Sequence, residues 1–178
     1  MRIAVLAMLF AAFAFAQGPS AASPSACGTE SISFDVKTEK SQLGPAQPDP
    51  AKALVYFIQD DGPWGNHQSA TLRIGLDGEW VGAYKHNSYF FVLVEPGEHH
   101  VCVNAQRYLY HSGYQSGLVA LAHFTAEQGK VYYFRTQLLG GLSLRYPMPP
   151  HLDLDRPDSD QAKYLIGSYP LSISQPKK

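Results

Sequence analysis

From residue 32 onward, short apolar stretches alternate with breaks rich in Gly, Pro, Asp and Asn, the pattern of strands joined by turns. Residues 32–37 alternate apolar and polar positions, the period of a half-buried strand. Residues 53–58 are apolar on both faces and suit a central strand. Residues 69–76 and 79–84 flank Asp77-Gly78, a pair that tolerates the positive φ of a type I′ hairpin turn. Residues 88–94 form a second two-faced stretch. Pro96 and Gly97 supply a turn after it, and residues 99–104 read as its hairpin partner. In that partner Val101 and Val103 share one face, while His100, Cys102 and Asn104 share the other.

Residues 118–124 and 130–138 read as a further hairpin around Gly129. Gly140-Gly141 is expected to break the chain before a strand at 142–146, which residues 147–150, with Pro147, Pro149 and Pro150, would end. The one helix falls at 157–166, with Asp155 as cap, Pro157 in the first turn and Gly167 at the end. Residues 169–174 return to the sheet. The predicted fold is all-β: an antiparallel β-sandwich or open barrel of about nine strands with one short C-terminal helix.

The N-terminus has a different pattern. After Arg2, residues 3–16 are an unbroken apolar run, about 21 Å long as a helix and short of the roughly 30 Å hydrocarbon core. The run ends in Ala14-Phe15-Ala16. These features predict a signal peptide over 1–16, cut between Ala16 and Gln17, and hence an exported protein, periplasmic or extracellular. An uncleaved anchor is the other reading of the same run. Residues 17–51 are expected to be a flexible leader carrying the strand at 32–37 and a linker with Pro45, Pro48 and Pro50. Residues 52–178 form the sandwich domain. No later stretch approaches a spanning length, so no transmembrane segment is expected after cleavage.

An exported chain gives its two cysteines meaning. Cys27 and Cys102 are the only thiols, and in an oxidising compartment they are expected to pair. The bridge would pin the leader to the sheet. A free, buried Cys102 is the alternative. Pro24 stands three residues before Cys27, where a lipidation signal needs a large aliphatic residue.

Composition narrows the class. The 178 residues carry 14 Lys+Arg against 15 Asp+Glu, too balanced for a sequence-independent nucleic-acid binder. A hydrophobic fraction of 45% excludes a disordered chain. No nucleotide-binding, zinc-protease or serine-hydrolase motif occurs, so no catalytic, cofactor or metal residue is assigned. His99 and His100 are adjacent, and in a strand they would point to opposite faces. Asp153, Asp155, Asp158 and Asp160 read as helix-capping charge, because no glycine supplies the sharp turn of a calcium loop. Asp60-Asp61 reads as a turn pair. The candidate partner-binding residues are Tyr108, Tyr110 and Tyr114, with Trp64 in another loop, since aromatic side chains offer large contact area at low rotamer cost. The alternative for these rings is to cover the ends of the core.

Lys52 to Phe57, Asp77-Gly78 with Val81-Gly82, Ser88 to Phe91, Pro96 to His99 and Gly129 to Tyr133 occur in an order that resembles the bacterial domain of unknown function 2846. The resemblance covers about residues 52–138. A more distant likeness is to the short β-rich PEGA modules. The resemblance implies a β-rich, exported domain. Members are often lipoproteins, but the residues before Cys27 depart from that pattern. No catalytic residues are implied. The resulting expectation is a non-catalytic β-domain of the cell envelope that binds a protein or glycan partner. A hydrolase or metal-dependent enzyme assembled from separated loops and a structural component of an envelope complex are the alternatives.

Overall fold

A computed structural model of the chain describes residues 26–28, 32–40, 49–61, 70–110, 113–115, 118–142 and 147–177. Residues 1–25, which include the expected cleavage site at Ala16 and Gln17, and Trp64, His67 and His111 lie outside the described residues.

The described strands are β1 (Phe34–Glu39), β2 (Ala53–Gln59), β3 (Thr71–Leu76), β4 (Glu79–Lys85), β5 (Ser88–Val94), β6 (Gly97–Tyr110), β7 (Gly113–Gln115), β8 (Val119–Ala126), β9 (Val131–Leu142), β10 (Pro147–Asp155) and β11 (Leu171–Pro176), with one helix, α1 (Ser159–Ser168), before the last strand. They form two sheets. One is six-stranded, in the order β1-β11-β5-β2-β9-β10. The other runs β4-β3-β6, with β7 and β8 both paired to β6. The chain is therefore an all-β sandwich with a short C-terminal helix.

The core explains why β2 is apolar on both faces. Val55 and Phe57 turn toward the second sheet and pack with Leu72, Ile74, Tyr84 and Phe134. Leu54, Tyr56 and Ile58 turn the other way and meet Ala162, Leu165 and Ile166 of α1. At roughly 1.5–3 kcal/mol for each fully buried large side chain, this double burial makes β2 the element the fold is built on. It ends at Gln59-Asp60, where the apolar run stops.

Three sequence expectations need correction. First, two pairings are parallel rather than antiparallel: β2 lies parallel to β9, and β11 parallel to β5. Second, neither the β5–β6 nor the β8–β9 segment closes as a hairpin. Both sides of β5 are already occupied by β2 and β11, and both sides of β9 by β2 and β10. The two turns instead carry the chain from one sheet to the other, and positive-φ glycines permit the reversal: Gly97 at φ 143° and Gly129 at φ 68°. Lys52 C=O accepts from Gly129 N–H, and Lys130 C=O accepts from Leu54 N–H, so β9 is captured by β2 as it begins. Third, Gly140-Gly141 lie inside β9 rather than breaking the chain, and residues 147–150 open β10 rather than closing a strand. β10 is an edge strand, where proline removes no needed donor, and its register shifts between Met148 and His151, at Pro149-Pro150.

The Asp77-Gly78 turn forms as expected, with φ of 53° and 89°. The helix lies two residues later than expected at each end. Its cap is Asp158 rather than Asp155, accepting from the N–H groups of Asp160 and Gln161 at 2.9 and 3.0 Å. Those bonds hold the Asp158 carboxyl below the usual carboxylate range. Gly167 lies inside the last turn, and Tyr169 leaves in an extended conformation.

Candidate partner-binding site

The tyrosine-bearing segment is a ribbon that outruns its sheet. The last pairing of β3 with β6 is Thr71 with Arg107. Past that point β6 pairs with β7 alone: Tyr108 with Gln115, Leu109 with Tyr114, and Tyr110 with Gly113. The backbone thus gathers Tyr108, Tyr110 and Tyr114 into three successive pairs at the end of one two-stranded ribbon. β7 and β8 lie on the same side of β6. On β8, Val119 and Leu121 are exposed, Leu121 to 65%.

The face of the second sheet turned away from the core is strapped by the N-terminal segment. Cys27 and Cys102 form a disulfide with Cα atoms 5.1 Å apart, and Cys102 is fully buried. Gly75 lies beneath the strap. A Cβ there would come within 2.7 Å of the Ala26 carbonyl oxygen and 3.2 Å of Cys27 Cα, so the close approach requires glycine. Further along, Arg73 Nη1 donates to Ile32 C=O at 2.6 Å, and the Arg73 guanidinium stacks on Trp80 at 4.1 Å. The Gln106 amide bonds both backbone groups of Phe34, at 2.7 and 3.0 Å, as a neighbouring strand would. Phe34 and Val36 then pack on Ala83.

A second polar cluster sits where β2 ends against the first half of its parallel partner β9. In sequence Asp60-Asp61 reads as a turn pair, with nothing to join it to Arg135, Asp155 or Tyr169. The Arg135 guanidinium grips both carboxylate oxygens of Asp155, with Nε at 3.0 Å from Oδ1, and lies 3.6 Å from Asp60. The Tyr169 hydroxyl donates to Asp60 Oδ1 at 2.7 Å. Burial first, and then that carboxylate, push the Tyr169 phenol far above its ordinary value. Asp61 accepts from Gln59 Nε2 at 2.6 Å and from Leu138 N–H at 3.2 Å. Gln59 is fully buried, and its Oε1 has no hydrogen-bond partner among the described residues. The one sequence signal for this cluster is Arg135-Thr136-Gln137 interrupting an apolar strand. Chemically it is one guanidinium and three hydrogen-bonded carboxylates, which tie β2, β9, β10 and the chain before β11 together.

The histidines divide. Adjacent His99 and His100 point to opposite faces, as strand geometry requires. His99 Nδ1 lies 2.6 Å from Asp77 Oδ2, and its Nε2 lies 2.7 Å from the Glu95 carbonyl oxygen. Burial opposes its charge, but the Glu95 carbonyl and the Asp77 carboxylate outweigh burial and hold the imidazole above its ordinary pKa. With both nitrogens engaged, neither is available as a general base in this arrangement. His100 faces His123 across the β6–β8 pair at 6.3 Å between rings, with Glu98 at 3.9 Å from His100 Nε2. Among the described residues no group of three His, Cys, Asp or Glu is placed to hold a metal ion. No helix among them is long and apolar enough to cross a membrane.

Fold and clusters together define a two-sheet β-sandwich with a disulfide-held N-terminal strap and a β6–β7 ribbon paired past the end of β3. Residues 49–144 match the family model described as a protein of unknown function (DUF2846), which spans more than half the chain. The chain belongs to that family. The match runs from the approach to β2 through β9, so it contains Cys102 but not Cys27, and it leaves β1, β10, α1 and β11 outside. No curated protein matches the chain, and no solved structure does.

Proposed function

We propose that this chain is a non-catalytic β-domain, exported to the cell envelope, that binds a protein or glycan partner through the β6–β7 ribbon. The observation that carries the reading is the register of that ribbon, which collects Tyr108, Tyr110 and Tyr114 beyond the end of β3. Tyrosine suits such contacts because its ring offers apolar area to a sugar face or an extended peptide, and its hydroxyl hydrogen-bonds. The commitment of Asp60, Asp155, Arg135 and His99 to internal pairs supports a binding role over hydrolysis. The Cys27–Cys102 bridge and the apolar leader support export.

Replacing Tyr108, Tyr110 and Tyr114 together with Ala is expected to leave the melting temperature unchanged and to weaken binding of the purified protein to isolated envelopes by tenfold or more. Unchanged binding by a folded triple variant overturns the reading. A structural role in an envelope complex is the second reading, favoured by exposed Val119 and Leu121 on β8 beside the ribbon.

A further inference from the structure

The environment of His99 is built from acceptors. One ring nitrogen faces the Asp77 carboxylate and the other faces the Glu95 carbonyl, at 2.6 and 2.7 Å. A neutral imidazole carries a single N–H and would set a lone pair against one of these oxygens. An imidazolium donates to both. The two acceptors come from different parts of the fold: Asp77 is the first central residue of the β3–β4 turn, and Glu95 begins the crossing from β5 to β6. Asp77 also accepts from His100 N–H through Oδ1 at 2.8 Å, and its own N–H donates to His100 C=O. One protonated ring therefore joins a hairpin tip to the inter-sheet crossing.

We propose that His99, Asp77 and the Glu95 carbonyl form a proton-dependent clasp that holds the β3–β4 turn to the β5–β6 crossing and loosens as pH rises.

The surrounding charges agree. The Glu95 carboxylate is drawn away by Lys52 Nζ at 2.6 Å, so only its carbonyl meets His99. On β6, Glu98 and His100 project from the opposite face. From β8, the Phe124 ring packs on His99 at 5.4 Å, and His123 lies on the far face against His100. Arg156, the cation near Phe124, sits 5.8 Å from that ring. Among the described residues Asp77 is thus the one carboxylate bonded to His99. The sign follows. The folded-state pKa lies above the unfolded value of about 6.5, so the clasp stabilises fully below that value and is lost as pH rises through the folded pKa.

The test is ring-nitrogen NMR titration of His99 together with denaturant unfolding across the same pH range, in the intact protein and in Asp77→Asn. Asn at this turn position keeps the type I′ geometry. Its Oδ1 still accepts from His100 N–H, while its amide N–H now faces His99 Nδ1. The neutral tautomer with the proton on Nε2 then satisfies both contacts. In the parent protein both ring nitrogens are expected to stay protonated to about pH 6.5 and beyond, and the folded-to-unfolded ratio to fall several-fold as His99 loses its proton. In Asp77→Asn the His99 pKa is expected to drop below the ordinary value, with that fall in stability removed. A parent His99 that titrates at or below about 6.5, or an Asp77→Asn variant with the same His99 pKa, overturns the clasp.

Discussion

Two glycines show how much a single missing Cβ decides. Gly75 lies under the N-terminal strap, where a methyl group would strike backbone atoms of Ala26 and Cys27. Gly167, in the last turn of α1, has open space around it and no positive φ. Gly75→Ala should therefore destabilise the protein by about 1–3 kcal/mol, while Gly167→Ala should stabilise it by about 0.5–1 kcal/mol. Urea unfolding of the two variants beside the parent checks both signs. The same scale holds what sequence does and does not disclose. Asp77-Gly78 is legible because the type I′ turn of a two-residue hairpin needs positive φ at both central residues, which Asp and Gly tolerate. The cysteine pair is legible because an exported chain with two thiols has one way to join them. The bonds of His99 are not, since its partner Asp77 is 22 residues away and its other acceptor is a backbone carbonyl. Arg135 is likewise silent: a cation in a strand gives no sign of which carboxylates will meet it.

At the scale of elements, periodicity locates the strands and does not tell which strands pair. β2 is readable from six consecutive apolar residues, yet its parallel partner β9 lies some 70 residues on and is joined to it through the whole second sheet. Turn chemistry gives the reversals at Pro96-Gly97 and Gly129. A reversal at a sandwich edge serves equally to close a hairpin or to cross between sheets, and competition for the sides of β5 and β9 decides for crossing. β10 escapes notice because proline argues against a central strand and says little about an edge. The strap shows an element whose stability is borrowed: β1 has two buried side chains, Phe34 and Val36, and is held by Gln106, Arg73, β11 and the disulfide. Cys27→Ala reopens a closed loop of 75 residues, at a loss of about 2–4 kcal/mol. Limited proteolysis is expected to cut this variant within 32–40 well before it cuts β2, and equal protection of the two segments would show that the bridge is not what holds the strap.

For the whole molecule, the arrangement gives different roles to different ends. The interior between the sheets is apolar and aromatic, with Phe90, Phe57, Phe134 and Phe124 in successive ring contact. One flank is closed by α1, another by the strap, and the charged groups at the end of β2 tie four segments together. The β6–β7 ribbon is set apart from these fixtures, since it pairs beyond the reach of β3. Replacing its tyrosines is expected to leave the fold intact, so that binding and stability are measured on the same variant. The most direct measurement is site-specific photocrosslinking in the native envelope, with the crosslinker at position 110 in one sample and at position 127, in the β8–β9 turn, in the other. A discrete adduct is expected from position 110, disappearing when Tyr108 and Tyr114 are Ala, and none from position 127. Adducts of equal yield from both positions, or an adduct at 110 indifferent to the two tyrosines, would contradict binding through the ribbon.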